Sequence, residues 1–269
     1  MPIFMDRHEL QGATQQDVAE AHLKDLQVQD RFGVRFLTYW FDEQRASGFC
    51  LIDAPDKDAA VRAHQASHDN LPTDVIEVDP ATVLAFLGRV QDPDRLMSSG
   101  HPEVDSGLRT VMFTDLVGST EMTARLGDRR AVEIVRAHDG IVRQALAPHG
   151  GREVKHTGDG IMAVFEGRSA AVACARAIQQ GVADYNRDSQ EPIQVRIGLH
   201  AGEPVEDSND LFGATVQLAS RLCAAAEPGQ ILVSATVREA CPDDRFDDGA
   251  ERSFKGFAKP VRAFTCNWR

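Results

Sequence analysis

Two short apolar strands that each deliver an aspartate constrain this chain most. FTDLVGSTEM, residues 113–122, and VKHTGDGIMAVF, residues 154–165, place Asp115 and Asp159 at strand edges. Asp115 closes the run RTVMFTD, and Asp159 sits in the tight turn Gly158-Asp159-Gly160 between GREVKH and IMAVF, a hairpin signal. Carboxylates at strand ends can meet on one side of a sheet, where they make a hard oxygen site suited to Mg²⁺. Directly after Asp115, Val117-Gly118-Ser119-Thr120 opens a helix, and backbone N–H groups at a helix start attract anions. A cation site beside a phosphate cradle points to nucleotide chemistry.

The length of 269 residues is enough for two domains, and 42% hydrophobic with 26% charged residues is a globular composition. Residues 1–95 carry 9 basic and 17 acidic side chains, a balance of −8, and the remainder carries 20 and 24, a balance of −4. Both halves are acidic, which argues against a nucleic-acid partner, since phosphate neutralisation needs a basic face. No apolar run approaches the ~20 residues of a membrane span. MPIFMDRHELQG lacks the basic start and apolar core of a signal peptide. Five scattered cysteines without a C-x-x-C pair fit a reducing cytoplasm, so a cytoplasmic chain with no membrane partner is expected.

The first ~90 residues read as βαββαβ. Strand PIFMDRH leads to helix ATQQDVAEAHLKDLQ, with Thr14 as its cap and Asp17 three residues on. Strands VRFLTYWFD and SGFCLIDA, joined by EQRA, precede helix APDKDAAVRAHQASH and strand TDVIEV, with DPATVLAFLGRV as a further short helix. That order is the ferredoxin-like split βαβ. QDPDRLMSSGHPEVDSG, rich in Pro, Gly, Ser and Asp, reads as a linker. The expected domains are 1–91, a linker over 92–107, and 108–269. The second domain is expected to start with strand RTVMFTD, followed by a long helical region, the hairpin around Asp159, and helix SAAVACARAIQQGVADYN. IQVRIGLHAGEPVE is expected as a hairpin with Gly202 near its turn. Helix FGATVQLASRLCAAA, ended by Glu227-Pro228-Gly229, then leads to strand QILVS and short tail strands that include SFKGF and VRAFTC. The fold class is α+β in two domains, the second with a central, mainly antiparallel sheet flanked by helices.

From about Leu108 to the C-terminus, FTDLVGSTEM, VKHTGDGIMAVF and LFGATVQLASRL, spaced in this order, resemble the catalytic domain of the class III adenylate/guanylate cyclases. The resemblance implies that Asp115 and Asp159 bind two Mg²⁺ or Mn²⁺ ions. The carbonyl of Leu116 would complete a metal shell, and Val117, Gly118, Ser119 and Thr120 would hold phosphate. Lys155 and Asp210 match the base-reading pair. A lysine donates to adenine N1 and a carboxylate accepts from its amine, whereas guanine presents the reverse polarity; ATP is therefore the expected substrate. Arg221 matches the arginine that stabilises charge on the α-phosphate. Gln217 stands where the family usually has Asn, four residues before Arg221 on the same helical face. Its amide lies one methylene further out, and a shift of ~1 Å in a positioning group can cost ~10²-fold in rate. Lys255 in SFKGF resembles a lysine that contacts terminal phosphates. In relatives the site forms across a head-to-tail homodimer, one protomer giving the metal aspartates and the other the remaining groups. This chain carries both sets, so a homodimer with two sites is expected. A degenerate domain that senses nucleotide or metal without turnover is the alternative, with Gln217 as its support; guanylate cyclase activity is disfavoured by Lys155 and Asp210.

The N-terminal domain holds His8, His22, His64 and His68, with His64 and His68 four apart on a predicted helix. Imidazole suits Ni, Zn and Cu. FMDRHE, AEAHLKDL, TYWFDE, FCLIDAPD and VRAHQASH resemble a family of small nickel-binding ferredoxin-like proteins over about residues 1–80. That resemblance implies Ni²⁺ at these histidines; surface histidines on an interaction module are the plainer alternative. Ferredoxin-like modules often pair through their sheets, so a dimerising domain ahead of a dimeric catalytic domain would set its geometry, and metal occupancy is expected to tune the cyclase rate through it. Cys50 is either a further ligand or a core side chain.

Overall fold

The computed structural model describes residues 1–92, 105–203, 213–242 and 246–269. They form two compact units, one built from residues before Arg109 together with Glu203 and Gly213, and the other from Arg109–Gly202 with Ala214–Arg269.

The first unit has strands β1 (Ile3–Glu9), β2 (Arg35–Asp42), β3 (Ser47–Asp53) and β4 (Asp74–Val78), and helices α1 (Gln15–Phe32), α2 (Lys57–Ser67) and α3 (Pro80–Leu87). The strands pair antiparallel in the order β2-β3-β1-β4, as the split βαβ pattern requires. Local chemistry sets the helix ends. Thr14 and Asp17 form a reciprocal capping box on α1, and Gly33 ends it in the left-handed region at φ 63°. Asp56 and Asp79 cap α2 and α3. One apolar cluster, with Phe4, Phe36, Ile52 and Ala63, packs α2 and the end of α1 on one face of the sheet. β1 delivers Asp6 and His8 to one face by its two-residue period. Cys50 of β3 is the direct cross-strand partner of Asp6. α2 ends at Ser67, so His68 is its extended C-cap and not a helical residue.

The second unit is built on a seven-stranded sheet in the order β10-β11-β9-β8-β5-β7-β6. Its strands are β5 (Arg109–Leu116), β6 (Arg152–His156), β7 (Ile161–Phe165), β8 (Val195–Gly202), β9 (Ile231–Ser234), β10 (Ala250–Arg252) and β11 (Val261–Cys266). The helices are α4 (Ser119–Leu126), α5 (Asp128–Leu146), α6 (Arg168–Asp188), α7 (Gly213–Ala225) and α8 (Ala235–Arg238). All pairings are antiparallel except β8 with β9. A large core joins Met112, Ile134, Val142, Phe165, Val172, Ile178 and Ile197 between the sheet and α5 and α6. No helix among the described residues is long and apolar enough to cross a membrane.

β8 ends at Gly202, and the second arm of the hairpin expected there lies outside the described residues. One expectation is corrected. The SFKGF segment is a turn between β10 and β11 rather than a strand. Gly256 has φ +96°, and Phe257 N–H donates to the Phe254 carbonyl at 3.1 Å.

Candidate active site and metal centre

The central strands bring Asp115 and Asp159 into one cleft of about 260 Å³, lined also by Phe113, Thr114, Thr157, Arg196 and Cys223. Asp115 is the penultimate residue of β5, and Asp159 stands in the β6–β7 turn. The turn is tied to β5 by Leu116 N–H donating to the Asp159 carbonyl at 3.0 Å, and by Ile161 N–H donating to Thr114 Oγ1 at 3.0 Å. Gly160 is obligatory there, since a Cβ would sit 1.9 Å from the Thr114 carbonyl oxygen. Gly118 caps α4 with φ 70°, and Ser119 Oγ donates to Asp159 Oδ2 at 2.6 Å. The phosphate-binding segment expected from the sequence thus touches one of the two carboxylates directly.

The sequence expectation missed Arg196. Its Nε donates to Asp115 Oδ2 at 2.9 Å and its second terminal nitrogen contacts the same oxygen. That bond raises the Arg196 pKa further. Cross-strand register could have signalled the contact, because Arg196 of β8 lies directly opposite Asp115 of β5. A carboxylate that already holds a cation in an open cleft, beside a second carboxylate, fits a divalent ion with oxygen donors. Burial pushes the Cys223 thiol up to about 12, so this neighbour offers no thiolate nucleophile at neutral pH.

Behind the Asp159 turn stands a second arrangement absent from the sequence expectations. Gly158 N–H donates to His156 Nδ1 at 3.2 Å, so Nε2 carries the proton and donates to Asp139 Oδ2 at 2.9 Å. Asp139, on α5, also meets buried His138 Nδ1 at 3.1 Å. Burial lowers the His138 pKa, which keeps this ring neutral. The turn is therefore braced from β5 and α4 on one side and, through His156, from α5 on the other.

The remaining sequence candidates lie outside the cleft lining. Lys155 on β6, Gln217 and Arg221 on α7, and Lys255 in its turn are all exposed. Asp210 lies outside the described residues. α7 itself packs close to the sheet at Gly198, where a Cβ would come 2.1 Å from Cys223 N. Gln217 and Arg221 are one helical turn apart on α7.

In the first unit, His8, His22 and His64 are buried, and His68 is half-buried. The surface-histidine alternative is thereby corrected. His64 Nε2 meets Asp6 Oδ2 at 2.8 Å, and its Nδ1 meets Asp25 Oδ1 at 3.2 Å. His8 Nε2 meets Asp6 Oδ1 at 3.1 Å, and His68 Nε2 meets Asp25 Oδ2 at 3.3 Å. Burial pulls the His64 pKa down, but Asp6 and Asp25 outweigh it and hold it at about 10. Burial likewise raises Asp6 and Asp25, yet their histidines hold both carboxyls well below the usual carboxylate range. Two donor sets follow among the described residues. Asp6, His8, Cys50 and His64 have ligand atoms within 4.8 Å of one another, as do Asp25, His64 and His68. His22 lines a small cavity with His8, His64 and His68 but belongs to neither set; its Nε2 meets Asp92 Oδ2 at 2.9 Å. Asp6 and Asp25 were invisible to a search for histidines, because only the packing of β1, α1 and α2 brings them to His64.

Against known proteins, residues 105–261 match the family model described as adenylate and guanylate cyclase catalytic domain. The chain belongs to that cyclase family. Residues 4–78 match the model described as nickel responsive protein SCO4226-like. The adenylate cyclase of Streptomyces coelicolor is 33% identical over 147 residues, which is 54% of this chain and 37% of that protein. The crystal structure of an adenylate/guanylate cyclase/hydrolase from Silicibacter pomeroyi is 33% identical, with TM-score 0.50, over 59% of this chain and 95% of that one. The crystal structure of the guanylyl cyclase Cya2, at 24% identity, shares the fold with TM-score 0.53 over 59% of this chain and 91% of that one. The chain spans well under half the length of the curated relatives it matches.

Proposed function

We propose that this chain is an adenylate cyclase that converts ATP into 3′,5′-cyclic AMP and pyrophosphate as a head-to-tail homodimer. The observation that carries this is the shared cleft of Asp115 and Asp159, with Ser119 and Arg196 on their carboxylates. Asp115, Asp159 and the Leu116 carbonyl would hold Mg²⁺ or Mn²⁺, two ions per site. Bound there, divalent ions supply Lewis acidity to the ribose 3′-hydroxyl and charge compensation to the departing pyrophosphate. The chain's own groups do the positioning. Backbone N–H groups over Val117–Thr120 receive phosphate oxygens at the start of α4. Arg196, a cation on the edge of the cleft, turns toward the triphosphate when its carboxylate is otherwise neutralised. Arg221 meets charge that develops on the α-phosphate, Gln217 orients the ribose, and Lys255 contacts the terminal phosphates. Lys155 and Asp210 read the adenine edge.

The exposure of Lys155, Gln217 and Arg221 supports a site completed by a second copy. We divide the chain into a regulatory domain over 1–91, a linker over 92–107 and the catalytic domain over 108–269. A compact-unit boundary between Leu108 and Arg109 supports this. The buried histidine–carboxylate cluster fits a transition metal such as Ni²⁺, whose occupancy tunes the cyclase rate, and the setting is the cytoplasm.

Mixing variants tests the composite site. Asp159→Ala and Arg221→Ala are each expected to be inactive alone, with cyclic AMP formation returning when the two are mixed and allowed to exchange subunits. No return of activity in a mixture shown to contain the heterodimer would contradict the head-to-tail arrangement.

A further inference from the structure

We propose that the N-terminal metal sits on the Nε2 side of His64 in a mixed sulfur, nitrogen and oxygen site made by Asp6, His8, Cys50 and His64. Asp25 on the other side is then a supporting carboxylate and not a ligand. This rests on the metal-responsive role proposed above for the N-terminal domain.

The sheet builds three of the four donors. Asp6 and Cys50 are paired across β1 and β3, Cys50 N–H donates to Asp6 Oδ1 at 2.9 Å, and His8 follows Asp6 by two residues on the same face. His64 arrives from α2 and closes the set, its ring edge-on to His8 at 4.8 Å between centroids. All four ligand atoms lie within 4.8 Å of one another. Tetrahedral bonds of about 2.0–2.3 Å put ligand atoms about 3.3–3.8 Å apart, so each donor need move by only about 1 Å. A cavity of about 20 Å³, close to the space of one water or one ion, adjoins both sides: His8, Cys50 and His64 line it, and so do Asp25 and His68.

The Nδ1 side is built differently. Asp25 already receives the Ser67 hydroxyl and lies 3.2 Å from His64 Nδ1 and 3.3 Å from His68 Nε2. A carboxylate that takes the second ring proton of a ligating histidine fixes the tautomer and turns the opposite nitrogen toward the ion. That side offers three donors against four, and none of them is sulfur. A thiolate with two imidazoles and one carboxylate favours Ni²⁺, Co²⁺, Zn²⁺ or Cu²⁺ over Mg²⁺ and Ca²⁺. The N-terminal site therefore need not compete for the ions of the cyclase cleft.

Titration of the full-length protein with Ni²⁺ and Co²⁺, followed by near-ultraviolet absorption and by metal analysis after desalting, tests this. The expected result is one ion per chain with a thiolate-to-metal charge-transfer band. Cys50→Ser should remove the band, while Asp25→Asn and His68→Ala keep it, Asp25→Asn at an affinity about 10–100-fold lower. Melting of the metal-free variants at the wild-type temperature separates a lost site from a lost fold. A bound ion without the band in the wild-type protein, or loss of the ion in His68→Ala with Cys50→Ser unaffected, overturns the assignment alone. No ion bound by the wild type overturns it together with the metal-responsive role.

Discussion

The two candidate metal sites of this chain solve opposite problems. At the N-terminal cluster, buried carboxylates and imidazoles satisfy one another, and Asp6 and His64 are within 1% of full burial. In the cyclase cleft, Asp115 and Asp159 stand half-buried in an open volume, with Arg196 and Ser119 as exchangeable partners. Filling the first means displacing internal partners and protons, which suits slow, selective occupancy by one ion. Filling the second means only moving a partly exposed guanidinium, which suits ions that arrive and leave with substrate. The two sites differ both in donor type and in how completely the donors are already paired.

The largest effect that would break this contrast is on the open side. Asp159→Ala should lower cyclic AMP formation by at least about 10³-fold, because the site loses a carboxylate proposed to hold the metal; steady-state assays in Mn²⁺ read this. Lys155→Glu should lower kcat/KM for ATP by about 10²-fold with a smaller loss for GTP, since the donor proposed to meet adenine N1 is replaced by an acceptor. Competition between the two nucleotides checks it. Gln217→Asn should raise turnover by up to about 10²-fold if the longer amide is what holds the rate down. An unchanged kcat would show that α7 already compensates.

A smaller effect sharpens the comparison. His156→Ala should raise the Mn²⁺ concentration for half-maximal activity by about tenfold while leaving dimerisation intact, because the Asp159 turn loses its brace from Asp139. Manganese binding followed by electron paramagnetic resonance separates this from a general loss of fold.

The smallest effect lies on the closed side. His64 has its pKa raised from 6.5 to about 10, so in the metal-free protein its contribution to stability is full below about pH 6.5 and fades as pH rises toward 10. The lowered pKa values of Asp6 and Asp25 contribute above about pH 4 and fade in acid. The groups that face His64 are Asp6 and His8 from β1, Asp25 from α1, Cys50 from β3, and His68 after α2. In chelator, melting followed by Trp40 fluorescence in a Trp268→Phe background should therefore fall from pH 6 to pH 9. A flat profile would mean that the cluster is not ionised as described.

Much of the scaffold was legible because local signals agreed. The Thr14–Asp17 box, the two-residue strand periods and the Gly-Asp-Gly turn each announced an element, and Asp115 and Asp159 meet because strand ends adjoin. What escaped depended on partners distant in sequence. Arg196 is 81 residues from Asp115, and Asp6 and Asp25 flank a histidine that lies 58 residues beyond Asp6. SFKGF has strand-like aromatics, but the left-handed Gly256 makes it a turn.

Cyclic nucleotide formation by the purified full-length protein, with ATP and GTP in parallel in Mn²⁺ and with Asp159→Ala alongside, tests the central claim most directly. Cyclic AMP from ATP, in large excess over cyclic GMP from GTP and absent in the variant, is the predicted result. No product from either nucleotide in a dimeric preparation, or cyclic GMP as the main product, would contradict it.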